Sequence, residues 1–209
     1  NGGATAKEIA AAITARKGET GVYADAQTRM NVAFSELAAG SAAAPDTVSF
    51  NLYGKNGTAV LIAANVDFGI TSGAGANLSE LAGAVNGTSG KTGITASLSI
   101  DKSTMTLISN DGYDIVVEDY NLVAGSGPTM NVSGADEDYS NLTDSTTKFS
   151  DASTDYYSPI ELTAGTNPDT VGVSGTIKFH SPFVFSVATA SQGTDEAPTL
   201  TMGGSVASL

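Results

Sequence analysis

His180 is the only histidine in this 209-residue sequence, and it is the first residue to test for acid–base or metal chemistry. A two-histidine metal site of the H-E-x-x-H kind cannot exist with a single histidine. The chain also has no cysteine, which removes disulfides, thiolate metal ligands and cysteine nucleophiles. We therefore expect His180 to be an ordinary residue at the end of a strand, beside Pro182. The sequence predicts no catalytic residues, no cofactor-binding residues, no metal ligands and no cofactor.

Acidic side chains cluster in the second half of the chain, where their oxygens could bind Ca²⁺. The cluster comprises Asp136, Glu137, Asp138, Asp144, Asp151 and Asp155. Its spacing matches no EF-hand loop and lacks the glycine of that loop. We interpret Gly134 to Pro159 as a long, solvated acidic surface loop, anchored by its tyrosines Tyr139, Tyr156 and Tyr157.

Glu118 and Asp119 are adjacent carboxylates of the type that glycosidases use in pairs. Alternation along a strand sends neighbouring side chains to opposite faces, so we expect these two to be separate surface charges. The glycine-rich stretches 72–76 and 125–128 lack the strand, loop and lysine-bearing helix of a phosphate-binding loop, so we expect turns. The sequence therefore predicts that the protein is not an enzyme.

Asparagine-x-serine/threonine triplets resemble sites of asparagine glycosylation. They begin at Asn56, Asn77, Asn86, Asn131 and Asn141. Turn chemistry at Asn56 and helix capping at Asn77 explain two of them without a sugar.

Charge and hydropathy exclude further classes of function. The sequence has 22 acidic and 9 basic residues, a formal charge of −13, so its field repels phosphate backbones and anionic lipid head groups. Long apolar runs such as AVLIAA at 59–64 fall far short of the roughly 20 residues that cross a bilayer. Nucleic acid and membrane are therefore not expected partners.

The elements that carry these residues include a duplicated unit. The stretch from Thr5 matches the stretch from Asn77 without a gap, for example Gly21 with Gly93 and Ala24 with Ala96. Apolar residues recur at helical spacing in both copies, at Ala6, Ile9, Ala10 and Ile13 and at Leu78, Leu81, Ala82 and Val85. Thr5 with Glu8 predicts a capping box, Asn77 with Glu80 its relative, and Gly18 and Gly90 predict the helix ends.

After each predicted helix the apolar period changes to two. Val22, Ala24 and Ala26 share one face of a strand, as do Ile94, Ala96, Leu98 and Ile100 in the second copy. Two more strands, STMTLIS and YDIVVEDY, follow around the turn 110–112, and we predict that the three form a meander. TVSFNLYG and TAVLIAANV predict a hairpin around 55–57. The predicted fold class is α+β, mostly antiparallel β, with two short helices packed on the sheets of two related subdomains.

The repeated pattern ATAKEIAAAITARKGETGVYADAQT and ANLSELAGAVNGTSGKTGITASLSI, followed by NDGYDIVVEDY, resembles the repeats in the central variable region of bacterial flagellins. The resemblance covers 7–28 and 78–120, and similar repeats occur in filament cap and hook-associated proteins. It implies the outer domains of a filament subunit, D2 and D3, without the helical D0 and D1 ends that polymerise.

The resemblance implies a non-catalytic structural protein on the extracellular surface of the flagellar filament. Its expected partners are neighbouring subunits, through helical ends outside these residues, and host antibodies, with this fragment a monomer. Flagellin glycans are typically carried by Ser or Thr, which makes the tract 140–158 the better candidate for modification. An adhesive or carbohydrate-binding module of a cap, hook-associated or cell-surface protein remains the alternative.

The chain beyond Asn121 predicts two subdomains. Alternation returns in VGVSGTIKFHSPFVFSVATA, which we interpret as a hairpin leading back toward the start. We predict a root subdomain of residues 1–45 and 160–209, with 46–159 inserted as an outer subdomain.

Overall fold

The computed structural model describes residues 4–35, 45–68, 75–124, 127–135, 159–165, 170–189 and 200–204. The predicted acidic loop, its tyrosines, Asn141 and the tract 140–158 lie outside these residues. The helices are α1 (Ala6–Ala15), α2 (Lys17–Thr20), α3 (Ser79–Gly87) and α4 (Ser89–Thr92). The strands are β1 (Tyr23–Phe34), β2 (Asp46–Tyr53), β3 (Val60–Val66), β4 (Thr95–Leu98), β5 (Thr104–Ser109), β6 (Ile115–Leu122), β7 (Met130–Gly134), β8 (Ile160–Leu162), β9 (Thr170–Val173), β10 (Thr176–His180), β11 (Phe185–Thr189) and β12 (Leu200–Gly204).

The described strands form two larger sheets and a two-stranded ribbon. One sheet has the order β4-β5-β1-β7-β8, with β10 paired to the first half of β1; the other has the order β3-β2-β6-β9; the ribbon is β11-β12. The pairings between these strands are antiparallel. The predicted class, α+β and mostly antiparallel β, is confirmed, although each copy carries two short helices where one was expected.

The two larger sheets share one apolar core because their strands alternate buried and exposed residues. Met30, Leu107 and Val132 of one sheet and Phe50 and Val117 of the other belong to the same buried cluster. Leu81, Ala82 and Val85 of α3, with Leu78 just ahead of it, join this cluster, as their apolar spacing predicted. The hairpin of β2 and β3 is confirmed as well, with Leu52 opposite Val60.

Both repeat copies fold into a helix, a single further helical turn and a strand. The predicted helix ends are wrong by three residues: Gly18 and Gly90 lie inside α2 and α4, and the chain leaves the helices at Gly21 and Gly93. These two glycines have φ of 69° and 71°, a left-handed conformation that side chains disfavour. The extra turn arises because Thr20 and Thr92 each bond back to the carbonyl four residues earlier.

The two helices begin differently. At α1, Thr5 Oγ1 accepts from the Glu8 N–H and the Glu8 carboxylate accepts from the Thr5 N–H, so the predicted capping box is confirmed. At α3, Asn77 Oδ1 accepts from the Ser79 N–H two residues on, and no reciprocal bond from Glu80 is recorded. The predicted capping box of the second copy is therefore wrong, because Asn77 caps the helix from one residue further out.

The predicted meander is confirmed for the pairing of β4 with β5 and wrong for its third strand. Strand β5 lies between β4 and β1, whereas β6 crosses to the other sheet and pairs with β2 and β9. Ile100 was expected on the buried face of the preceding strand but is fully exposed, because β4 ends at Leu98. The turn 110–112 thus connects the two layers of the sandwich.

A second, smaller core lies beneath α1. Ala10, Ile13, Val22 and Ala24 are buried there, with Ile177, Phe179 and Phe185 packed against them. Ile9 is 37% exposed, so the predicted apolar stripe of α1 is wrong at that position. No helix among the described residues is long and apolar enough to span a membrane.

The division into subdomains 1–45 with 160–209, and 46–159, stays a prediction. Strands from both sides of its boundaries pair with one another: β1 bonds to β5 and β7, and β9 bonds to β6.

Candidate functional site: the junction between the repeat copies

The turn that follows β5 of the second copy packs directly on the first copy. The Lys7 N–H in the first turn of α1 donates to the Gly112 carbonyl at 3.1 Å. Gly112 has φ of 72°, and a Cβ added there would lie 2.3 Å from the Cβ of Ala26. The turn therefore approaches β1 as closely as two backbones can, and only glycine fits.

Side chains reinforce this junction on its polar rim. Lys7 Nζ donates to the Tyr113 hydroxyl at 2.8 Å, lies 4.0 Å from the centre of its ring and is 3.6 Å from Asp111 Oδ2. The hydrogen bond with Tyr113 is the main cause that raises the pKa of Lys7 above its usual value, and the charge of Asp111 acts in the same direction. Gln27 Nε2 donates to Asn110 Oδ1 at 2.7 Å. The four contacts fix the second copy against both the helix and the strand of the first.

An open hollow of about 390 Å³ lies beside the junction, between α1 and β1. Its lining combines alanine methyl groups with the polar side chains of Lys7, Thr14, Asp25, Asn110 and Asp111. Two contacts lie on its rim: Lys7 Nζ is 3.6 Å from Asp111 Oδ2, and His180 Nε2 is 3.3 Å from Asp25 Oδ2. The hollow therefore presents both methyl groups and side chains that can hydrogen-bond.

His180 lies at the end of β10, as expected, and takes part in a polar cluster on the strand surface. Its Nε2 is 3.3 Å from Asp25 Oδ2, and its ring stacks on Tyr23 with centroids 5.1 Å apart. Lys17 Nζ lies 4.5 Å from the centre of the same tyrosine ring. These contacts connect α2, β1 and β10, so the histidine serves the packing of the first copy.

The expectation that Glu118 and Asp119 point to opposite faces is wrong. The β2–β6 register shifts between Ser49 and Asn51, and Asp119 takes a φ of 56° at this bulge. As a result, Asp119 accepts from Asn51 at 2.9 Å and Glu118 accepts from Tyr53 at 2.8 Å. Asn51 and Tyr53 share one face of β2, which brings both carboxylates to that face.

These bonds have an electrostatic consequence for the outer face of the four-stranded sheet. The hydrogen bond to Glu118 is the main cause that raises the pKa of Tyr53, since it holds the phenol proton in place. Thr170 of β9 also donates to Glu118, at 3.3 Å. The carboxylates thus tie β6 to its neighbouring strands on both sides.

Structural bonds explain several of the asparagine triplets. Asn56 accepts from the Gly54 N–H and donates to the carbonyls of Leu52 and Thr58, which closes the β2–β3 turn. Asn86 bonds to Ala96, and Asn131 accepts from Thr129. With Asn77 at its helix start, the asparagines of the described triplets each have a bond within the protein.

Sequence reasoning missed a pair of hydrogen bonds, here called the clamp, by which one helix side chain in each copy holds the backbone of the following strand. Thr14 Oγ1 accepts from the Ala24 N–H at 3.0 Å and donates to the Ala24 carbonyl at 3.1 Å. Asn86 makes the same pair of bonds to Ala96, at 2.8 and 3.0 Å. Thr14 and Asn86 align in the repeat, and the shared ability of both side chains to donate and accept was the available signal.

Across the part of the chain that the structure describes, no three histidine, cysteine, aspartate or glutamate side chains come together as a metal site. What the geometry assembles is a set of helix-to-strand and copy-to-copy contacts. Such a duplicated, mostly antiparallel unit belongs to the class of structural repeat modules.

Residues 47–111 match the family model described as the flagellin hook IN motif, and this match supports a flagellin-type protein. The match covers just under a third of the sequence. It begins in β2 and ends in the turn 110–112, which follows β5. No curated protein matches the chain. The motif marks a structural protein of the flagellar filament or hook.

Proposed function

We propose that this chain forms the surface-exposed outer domains of a flagellin, a non-catalytic component of the extracellular flagellar filament. The family motif at 47–111 is the observation that carries the proposal, because it falls on the second copy of the duplicated unit. In this proposal, subunits assemble through helical ends outside these residues, and the outer domains are the surface that antibodies meet.

The charge supports such a display role. With a formal charge of −13, neighbouring copies repel one another, which keeps projecting modules apart and soluble. The junction contacts support it too, because Lys7 and Gly112 join the copies into one body instead of leaving them on a flexible tether.

Cysteine labelling gives a direct test on assembled filaments, since these 209 residues contain no cysteine and the unsubstituted full-length protein gives the background labelling. Ser97, exposed on β4, and Leu61, 67% exposed on β3, are each replaced by cysteine in the full-length protein. We expect a membrane-impermeant maleimide to label both in intact filaments as fast as in dissociated subunits. Val85→Cys is the matched control, since Val85 is fully buried and should stay unlabelled in both states. Protection of Ser97→Cys and Leu61→Cys on assembly alone would refute the outer position.

A hook-associated or cap protein is the second candidate, favoured by the word hook in the description of the matched motif. Immunogold labelling against this chain separates the two. Gold along the whole filament supports the filament subunit, whereas gold confined to the hook junction or the tip supports the alternative. An adhesive role belongs to that alternative, and binding on a glycan array would support it.

A further inference from the structure

The two repeat copies differ in what covers their helix. Leu81 of α3 is fully buried, whereas the aligned Ile9 of α1 is 37% exposed. The helix α3 packs along both β3 and β4. Among the described residues, α1 packs along β1 and β10, and no strand flanks it as β3 flanks α3.

The C-terminal strands supply part of what the first copy lacks. Strand β10 pairs with β1 as β5 pairs with β4: Tyr23 faces His180, and the aligned Thr95 faces Ile108. In both copies the polypeptide then leaves the sheet through a short connection, from β5 into β6 in the second copy and from β10 into β11 in the first. By position, β10 and β11 therefore correspond to β5 and β6.

The next strand corresponds as well. The beginning of β6 pairs with the end of β2, where Tyr53 faces Val116, and the beginning of β11 pairs with the end of β12, where Phe185 faces Gly204. The end of β2 abuts α4, since the Lys55 N–H donates to the Thr92 carbonyl at 2.9 Å. Strand β12 likewise lies against α2. The ribbon of β11 and β12 thus stands where β6 and β2 stand in the second copy.

Within the described residues, no strand of the first copy corresponds to β3. In the second copy, β3 pairs with β2 and lies along α3. In the first copy, within the described ranges, β12 pairs with β11 alone. We propose that an extended strand supplied by the polypeptide ahead of Asn1 pairs antiparallel with β12, lies along α1 and buries Ile9.

Chain spacing identifies this occupant. In the second copy, α3 begins at Ser79, 13 residues after β3 ends at Val66. The same spacing before Ala6 falls ahead of Asn1, so the strand comes from outside the 209 residues. By analogy with β3, whose Ile62 and Val66 point into the core, the strand has apolar residues at alternate positions.

Hydrogen–deuterium exchange on two versions of the protein tests the proposal, independently of any role in a filament. The 209-residue chain is compared with a version of the natural protein that carries residues ahead of Asn1. We expect amides of α1 and of β12 to exchange at least about tenfold more slowly in the longer version, since pairing and burial protect them. Amides of α3 and β2, which have their partner strand already, are the internal control.

A graft makes the test independent of the natural sequence. Residues 60–76 are placed directly ahead of Thr5, which reproduces the linker of the second copy. The graft should protect α1 and β12, whereas the same graft with its copies of Ile62 and Val66 replaced by serine should not. Equal exchange in all versions overturns the proposal. Protection that rises with protein concentration overturns it as well, because the strand would then come from a second copy.

Discussion

Thr14 and Asn86, aligned in the two copies, each hold one strand residue by both its N–H and its carbonyl. Their partners, Ala24 and Ala96, pair on their other side with β10 and β5. The clamp therefore satisfies backbone groups that a missing neighbouring strand would otherwise leave to water. A threonine in one copy and an asparagine in the other show that the bonding pattern matters more than the residue type.

Removing the Thr14 hydroxyl should loosen the first copy. Thr14→Val keeps the shape of the side chain but loses both bonds to Ala24, and we expect a loss of about 1–2 kcal/mol in the free energy of unfolding. Urea denaturation followed by circular dichroism measures it. Thr14→Ser, which keeps the hydroxyl, is the control; equal losses in the two variants would show that the clamp contributes nothing.

Gly112 should be the least replaceable glycine of the junction. Gly112→Ala places a Cβ 2.3 Å from that of Ala26 at a φ of 72°, so overpacking adds to backbone strain. We expect a loss of roughly 2–4 kcal/mol in the free energy of unfolding.

Gly165→Ala is the matched control for that variant, because Gly165 has a φ of 77° but no atom within 4 Å of the added Cβ. Its loss should be only the cost of placing a side chain in the left-handed backbone conformation, about 1–2 kcal/mol. If chemical denaturation gave both variants the same midpoint, the close packing of the junction would be disproved.

Local features of this fold could be predicted from the sequence, because their causes lie within a few residues. The capping box at Thr5 and the apolar stripe of α3 depend on spacings of three and four residues. The predicted helix end at Gly18 is wrong because Thr20 bonds back to Arg16 and adds one helical turn, which ends at Gly21.

Features that depend on distant segments were not predictable in the same way. Nothing near 110–112 signals that β6 crosses to the other sheet, since its partner β2 lies far earlier in the chain, with Tyr53 opposite Val116 and Val48 opposite Leu122. At the bulge in β6, Asp119 has a positive φ although it is not a glycine. The hydrogen bond that it accepts from Asn51 of the distant strand β2 stabilises this conformation. The exposure of Ile9 likewise depends on which strand flanks α1.

The unequal burial of the aligned residues Ile9 and Leu81 predicts unequal costs of truncation. Leu81→Ala leaves a cavity in the main core, and we expect it to lower the free energy of unfolding by about 2–5 kcal/mol. Ile9→Ala removes a side chain that is partly solvated, so its loss should be below about 1.5 kcal/mol.

Thermal and urea unfolding of the two single variants, with the parent chain as reference, measure this difference. The pair is matched, since both residues occupy the same position of a short helix. A loss for Ile9→Ala as large as that for Leu81→Ala would mean that α1 is already covered in solution.

Tyr120 should make the protein sensitive to alkali. Its hydroxyl donates to the Pro128 carbonyl at 2.7 Å, and burial, followed by the charge of Asp46, raises its pKa far above the usual value of about 10. Below pH 10 the phenol is neutral in both folded and unfolded chains, so its contribution to stability is complete. Above pH 10 the unfolded chain ionises first, and that contribution is lost as the pH rises.

Tyr120→Phe tests this linkage. At pH 7 the variant should lose about 1 kcal/mol through the bond to Pro128, and between pH 10 and 11.5 its stability should fall less steeply than that of the parent chain. Urea unfolding across this range measures the slope, and absorbance at 295 nm follows tyrosine ionisation in the folded state. Tyr23→Phe, at a partly exposed tyrosine on β1, is the control. If the parent chain and Tyr120→Phe lose unfolding free energy equally steeply as the pH rises, ionisation of Tyr120 does not explain the loss of stability in alkali.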